Sequence, residues 1–485
     1  MKNDSLTSKA IRGTKIVATL GPASDGKIEQ LIEEGVDVFR LNFSHGTYEE
    51  HSARIRQIRS AAKQIGRFVA ILGDLQGPKI RIGGFADSGP VILEEGSTFI
   101  ISCKIGLNEG TASEVATTYH DLPKTLNTGN VLVLGDGEVE IEVTQTEKER
   151  VICQVLVAGE LRSGKGINLK GGGLSAPAIT DKDRADLKFA CKNHLDYLAV
   201  SFVSSADDLH LARNLVNKHD SACRIVAKLE KVEAVASDSD VDAIILASDA
   251  VMVARGDLGI EIGDASLMGM QKHIISRARS LNRCVITATH MMESMVHNSA
   301  PTRAEVMDVA NAVLDGTDAV MLSAETAVGS YPVETVRSMV GIIEGAESSP
   351  YDAANTQLGY SCELIDESVA LAAMTVAEHL SGVCAVACLT SSGNTPKLMS
   401  RSRSRLPIYA LCDNPRTLAR VAMFRGVHPR QFESEQIDYD QINGAAVERL
   451  RNDGAVDTGD RIILSKGDYR NVQGGTNTMK ILEVA

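Results

Sequence analysis

No run in this sequence approaches the roughly 20 apolar residues that a helix needs to cross a bilayer, so no membrane partner is expected. The amino end, Met1-Lys-Asn-Asp-Ser-Leu-Thr-Ser, lacks the apolar centre of a secretory signal. Paired cysteines are missing too. The nine cysteines are scattered, with no C-x-x-C and no metal-finger spacing. An odd, unpatterned set reads as reduced thiols, which sets a cytoplasmic expectation. Nor is there a basic excess: 50 Lys and Arg stand against 63 Asp and Glu, a net charge of -13. That argues against nonspecific nucleic-acid binding but leaves room for a local basic pocket around an anionic metabolite. What remains is ordinary globular composition, 44% hydrophobic and 23% charged, over 485 residues, a length that suggests about three domains.

Short β-branched runs alternate with amphipathic stretches, the pattern of repeated βα units. Parallel strands are expected at 15–20, 37–43, 68–74, 197–202, 224–230, 250–255, 284–289 and 318–323. Helices are expected at 24–34, with Ser24 as N-cap, and at 48–65, 204–218, 268–280 and 303–314. About eight such strands close a (β/α)8 TIM barrel; a doubly wound open sheet is the alternative fold. Between 76 and 172 the rhythm breaks into strand-like pieces and turns, which reads as an inserted all-β domain. From 349 a C-terminal open α/β domain is expected, with a helix at 367–380 and strands at 385–390, 407–412, 461–465 and 478–482. The expected division is therefore 1–75 with 173–348, then 76–172, then 349–485.

Active sites of such barrels form where strands end. The expected ends carry Arg40, Asn42 and Ser44; Asp74; Lys228 and Glu230; Arg255, Gly256 and Asp257; Thr289; and Ser323 with Glu325. Singly, Lys228 reads as an ion-paired lysine and Asp257 as a helix cap. Together at one rim they are hard to explain by packing, because each buried polar group needs its own partner. Glu230 and Asp257 offer hard oxygen ligands suited to Mg2+ or Mn2+. Arg40, Lys228 and Arg255 add positive charge, and Gly256 lets backbone N–H groups approach an anion. This set describes a phosphoryl or enolate site.

Ala254-Arg-Gly-Asp-Leu-Gly-Ile-Glu261, Lys228-Leu-Glu230 and Arg40-Leu-Asn-Phe-Ser-His-Gly46 make the chain resemble the pyruvate kinase family. Thr19-Leu-Gly-Pro-Ala-Ser24, Ser201-Phe-Val203, Met292-Glu-Ser-Met295 and Leu322-Ser-Ala-Glu-Thr326 extend the resemblance over essentially the whole sequence. It implies phosphoryl transfer from phosphoenolpyruvate to ADP, giving pyruvate and ATP. It also implies that Glu230 and Asp257 hold Mg2+ or Mn2+. The substrate carboxylate would then meet Gly256, Asp257 and Thr289, and Arg40 and Lys228 would neutralise the phosphoryl group. Lys228 would further stabilise the enolate, which is protonated through water near Thr289 and Ser323. Asn42, His45, Arg81 and Lys165 would face the nucleotide, and closure of the inserted domain would exclude water. A cytoplasmic homotetramer is implied as well.

Some positions depart from the family pattern. Gln76 stands where a basic residue is frequent, His290 replaces glutamine, and Gly135-Asp-Gly137 carries one acid where two are common. Relatives hold K+ with residues matching Asn42, Ser44, Asp74 and Leu75, but Leu75 replaces threonine and Lys79 an acidic residue. Lys79 is therefore expected to satisfy Asp74 in place of K+, so that K+ is not required. In the last domain Thr390, Ser391, Ser392, Gly393, Asn394 and Thr395 follow a strand and open a helix, with Arg401, Arg403 and Arg405 beyond. The residues alone read as a turn followed by a solvated basic face. The resemblance instead implies a site for a phosphorylated allosteric effector, whether AMP, a sugar monophosphate or fructose bisphosphate.

Overall fold

Eight parallel strands close a barrel in the order Lys15–Thr19, Ala319–Leu322, Cys284–Ala288, Ala250–Ala254, Arg224–Leu229, Tyr197–Val200, Ala70–Asp74 and Val38–Asn42. The computed structural model that carries this barrel describes residues 11–87, 89–135, 137–174, 177–349, 362–469, 472 and 474–485. The amino end read above, Asp136 of the Gly-Asp-Gly turn and the start of the last domain lie outside the described residues.

The strands read as near-continuous apolar runs because both faces are covered, by helices outside and by one another inside. Helices end where the sequence signals it. Tyr48–Ile65 starts on a reciprocal Thr47 and Glu50 cap and stops at Gly66 (φ 76°). Arg303–Asp315 does the same with Thr302, Glu305 and Gly316. Ser24 is not the cap of the first helix, which spans Ile28–Glu34 after Lys27. Its hydroxyl instead closes a turn on the backbone of Gly21. The helix expected from 268 starts earlier, as Asp264–Ser280.

After Asp74 the chain leaves the barrel and builds a six-stranded mixed sheet with a two-stranded partner. Most of its pairs are antiparallel, but Thr98–Ser102 and Glu114–Ala116 run parallel. This inserted domain has its own core, including Phe99, Ile101, Leu132 and Val151. Two stalks join it to the barrel. Ile82 donates its N–H to the carbonyl of Lys165 (2.9 Å), and Ile167 donates to Ile80 (2.8 Å).

The C-terminal sheet has four parallel strands and an antiparallel edge, Thr476–Glu483. Its strand Val427–Gln431 escaped the sequence reading, because Pro429 and polar neighbours hide it. This domain packs on the amino-terminal end of the barrel strands, and the two share one apolar core. Val17, Leu72, Tyr197 and Met321 meet Met374, Met399, Met423 and Val427 there. Lys15 Nζ donates to the Val427 carbonyl (2.7 Å), and the Tyr197 hydroxyl donates to that of Arg420 (2.8 Å). Arg401 and Arg403 do not form a solvated face. Both are buried, Arg401 on Asp318 (2.9 Å from Nη1 to Oδ2) and Arg403 on the carbonyls of Val313 and Leu314. Arg405 alone of the three is exposed. No helix among the described residues is long and apolar enough to cross a membrane.

Candidate active site

Strand periodicity assembles the site. Side chains two apart share a face, so Val226 points into the barrel and Lys228 and Glu230 follow it toward the carboxyl-terminal rim. The same rule aligns Val38, Arg40 and Asn42, and then Ala70, Leu72 and Asp74. Register brings Asn42 opposite Asp74 and Ala199 beside it. One rim therefore gathers Arg40, Asp74, Lys228 and Glu230.

Lys228 Nζ lies 2.7 Å from Ser201 Oγ, 2.8 Å from Glu230 Oε1 and 3.4 Å from Asp74 Oδ1. Burial works against its charge, but Asp74 and Glu230 outweigh burial and hold the ammonium above the ordinary lysine value. Arg40 Nε donates to Asp74 Oδ2 (2.6 Å) and its Nη1 to Thr19 Oγ1 (3.0 Å). Burial would raise Asp74, yet Lys228 and Arg40 hold its carboxyl below the usual range.

Glu230 is the reverse case. Burial holds its carboxyl up, Lys228 only partly offsets this, and neighbouring Asp257 adds to it. Its Oε2 accepts the Phe202 N–H at 2.6 Å. Two close carboxylates, both hard oxygen donors, fit a divalent ion that draws its other ligands from substrate and water. Among the described residues no group of three or more His, Cys, Asp or Glu side chains could hold a metal without such help.

Asp257 stands in the first turn of the helix Arg255–Ile262. The Gly256 N–H donates to Thr289 Oγ1 (2.8 Å), and the Thr289 hydroxyl donates to the Ala288 carbonyl (2.6 Å). Thr289 and His290 both take positive φ, 69° and 53°, in the left-handed region that branched side chains avoid. Arg255 holds that turn. Its Nη2 donates to the carbonyls of Thr289 (2.7 Å) and His290 (3.2 Å), while Nη1 pairs with Asp308 (2.7 Å). Arg255 is thus a buried strut and not a cation of the site. Ser323 donates its N–H to buried Glu325 (2.6 Å), which also accepts the Met292 N–H.

Lys79 departs from expectation. Asp74 takes its countercharges from Arg40 and Lys228, and Lys79 Nζ sits 2.7 Å from Asp257 Oδ1. The cause is the turn at Gly77 (φ 67°), whose N–H is pinned by Asp183 and where a Cβ would meet that of Ser201 at 2.8 Å. It carries the chain away from Asp74. The other residues matched to a monovalent ion are internally bonded. Asn42 Oδ1 accepts the Ser44 N–H (3.0 Å), and the Leu75 carbonyl accepts the Ser201 hydroxyl (2.8 Å).

His45 is exposed beyond the rim, its imidazole held below the usual value by partial burial and by Arg81 and Arg40 nearby. Arg81 Nη1 donates to the Gly164 carbonyl (2.9 Å) and Lys165 Nζ to Glu138 (2.7 Å), both on the side of the inserted domain. The sequence motifs assign no role to Ser201, Thr19 or Phe202, although the two-residue period places Ser201 and Thr19 on the inner face.

In the last domain Thr390, Ser391, Ser392, Asn394 and Thr395 line a cavity with Lys466, Tyr439 and Tyr469. Gly393 takes φ 85°, and a Cβ there would meet Val421 at 2.7 Å. Its N–H donates to Thr390 Oγ1 (2.9 Å).

Two family models match the chain: pyruvate kinase, barrel domain, over residues 11–336, and pyruvate kinase, alpha/beta domain, over residues 367–482. A pyruvate kinase of Haemophilus influenzae is 49% identical over 474 residues, 97% of this chain and 98% of that protein. Pyruvate kinase II of Salmonella typhimurium is 49% identical over 482 residues, 98% of this chain and 100% of its own length. The crystal structure of a pyruvate kinase from Cryptosporidium parvum matches with a TM-score of 0.89 at 32% identity, covering 98% of this chain and 96% of that one.

Proposed function

This chain belongs to the pyruvate kinase family, and on that premise we propose which of its residues do the work. The reaction moves the phosphoryl group of phosphoenolpyruvate to ADP and yields pyruvate and ATP. Lys228 and Arg40 neutralise the phosphoryl group in flight, and Lys228 then faces the enolate oxygen. Positioned cations in a water-poor rim are the protein's main lever on such a transfer. The observation that carries this reading is Lys228, kept charged between Asp74 and Glu230.

Gly256 and Asp257, at a helix start, receive the substrate carboxylate, and the Thr289 hydroxyl, which accepts the Gly256 N–H, turns its proton from the Ala288 carbonyl to that anion. Thr289 and Ser323 order the water that protonates the enolate. Glu230 and Asp257 would hold Mg2+ or Mn2+; when bound, the ion supplies Lewis-acid stabilisation of the substrate oxygens. Asn42, His45, Arg81 and Lys165 face the nucleotide. Their support is place: His45 lies near Arg81, and Arg81 and Lys165 sit on the paired stalks.

The finer features of the reading are these. K+ is not required, because the oxygens of Asp74, Asn42 and Leu75 are already bonded within the protein and Lys79 tethers a cation to the same loop. The loop Thr390–Thr395 takes a phosphorylated effector, in a cavity where Lys466 supplies positive charge. Residues 1–75 with 173–348 form the catalytic domain, 76–172 the lid and 349–485 the regulatory domain. The working protein is a cytoplasmic homotetramer. The deciding experiment is a lactate-dehydrogenase-coupled assay: pyruvate should form only with phosphoenolpyruvate, ADP and Mg2+ all present. Formation without ADP would refute the transfer.

A further inference from the structure

Lys79 lies on the incoming lid stalk, yet its ammonium is spent on the barrel. Nζ is 2.7 Å from Asp257 Oδ1 and 5.8 Å from the centre of the Phe202 ring. Phe202 in turn gives its N–H to Glu230. The two carboxylates that would hold the metal thus have one ammonium each, Lys228 on Glu230 and Lys79 on Asp257. The two pairs differ in kind. Lys228 is buried beside a fully buried acid, whereas Lys79 and Asp257 each keep 23% of their side-chain surface exposed. The outer pair can therefore open into water, and the inner one cannot open cheaply. Lys79 is also held lengthwise, its stem packed beside Gly166 of the outgoing stalk.

We propose that Lys79 is a resident counter-ion of Asp257 which a divalent cation must displace, so that this lysine sets the metal affinity and ties it to release of the lid stalk. The proposal rests on the reading that Asp257 is a metal ligand. A single carboxylate oxygen does not serve an ammonium and a divalent ion at contact distance together, since the two cations repel in a partly buried site. Metal binding therefore carries the cost of opening the Lys79–Asp257 pair. For a partly exposed pair that lowers apparent affinity by roughly two- to fivefold. An ammonium that leaves Asp257 also gives up one contact between the stalk and the barrel mouth.

The test is Mn2+ alone, titrated into the full chain without substrates, with free ion followed by electron paramagnetic resonance. Lys79→Met should bind Mn2+ roughly two- to fivefold more tightly. Lys79→Arg, which keeps a cation on Asp257, should stay at the wild-type value. Asp257→Asn should bind more weakly, and adding Lys79→Met to it should change nothing further. If Lys79→Met leaves affinity unchanged while Asp257→Asn weakens it, the counter-ion proposal fails and the metal assignment stands. Equal tightening by Lys79→Met in both backgrounds also overturns it, since the lysine would then act by its distant field. An Asp257→Asn variant with wild-type Mn2+ binding refutes the metal assignment itself and the proposal with it.

Discussion

Lys228 and Asp74 face each other across a shared hydroxyl: Nζ lies 3.4 Å from Oδ1, and Ser201 Oγ is 2.7 Å from the one and 3.5 Å from the other. Asp74 keeps Arg40 as a second cation, so removing Lys228 takes a charge from the reaction without stripping the acid of all pairing. Lys228→Met should lower kcat by roughly 10²-fold or more, at a far-UV circular dichroism spectrum like the parent's. Turnover near wild type would remove Lys228 from the mechanism.

Glu230→Gln leaves the Phe202 N–H an acceptor but withdraws a full charge from the metal pair. The Mg2+ concentration for half-maximal activity should rise at least tenfold, because an amide oxygen binds a divalent ion less well than a carboxylate. Superimposable Mg2+ titrations would place the ion elsewhere.

Activity at saturating substrates should survive in buffer free of Na+ and K+, with tetramethylammonium keeping ionic strength constant. Activation by K+ of tenfold or more would defeat the K+-independent reading. Lys79→Glu reverses the charge on that loop and should create such a dependence.

The effector loop has its own test. Ser392→Asp adds a negative charge to the lining of the cavity and should abolish the response to phosphorylated activators, read as the shift in half-saturating phosphoenolpyruvate. A normal shift with AMP, ribose phosphate and fructose bisphosphate alike would move the site.

Stability should also fall in acid at the barrel junction. The buried Nε2 of His428 has no hydrogen-bond partner among the described residues, and burial with Lys15, Arg430 and Arg12 holds the imidazole well below its ordinary 6.5. The folded state therefore refuses a proton that the unfolded chain takes near 6.5. Its contribution is complete above that pH and is lost below it, by about 1.4 kcal/mol per pH unit. His428→Phe should flatten the fall of Tm between pH 7 and 5. Parallel Tm profiles would assign the acid sensitivity to another group.

The barrel was legible because its signal is local: each strand is a short apolar run, and the two-residue period carries polar side chains to one rim. Lys228, Glu230, Arg40 and Asp74 follow from that alone. What escaped depends on neighbours distant in sequence. Arg401 and Arg403 look like a solvent face because a domain junction that buries guanidiniums on carbonyls and Asp318 has the same polar pattern. Arg255 has the residue type of a substrate cation, and only the strained Thr289 turn reveals it as a strut. The family pattern pairs Lys79 with Asp74, whereas its ammonium meets Asp257, in the first turn of the helix Arg255–Ile262. Charge type is written in the sequence; the partner is written in the turn.

The barrel has no floor of its own. Its inward side chains at the amino-terminal end, from Val17 to Met321, are sealed by methionines and valines of the last domain. Cut away from that domain, the barrel would open an apolar well to water at its base. The barrel and the domain beneath it should therefore melt together, while the inserted domain, with its own core and two stalks, should loosen first. Whatever grips the lower domain grips the underside of the catalytic strands as well.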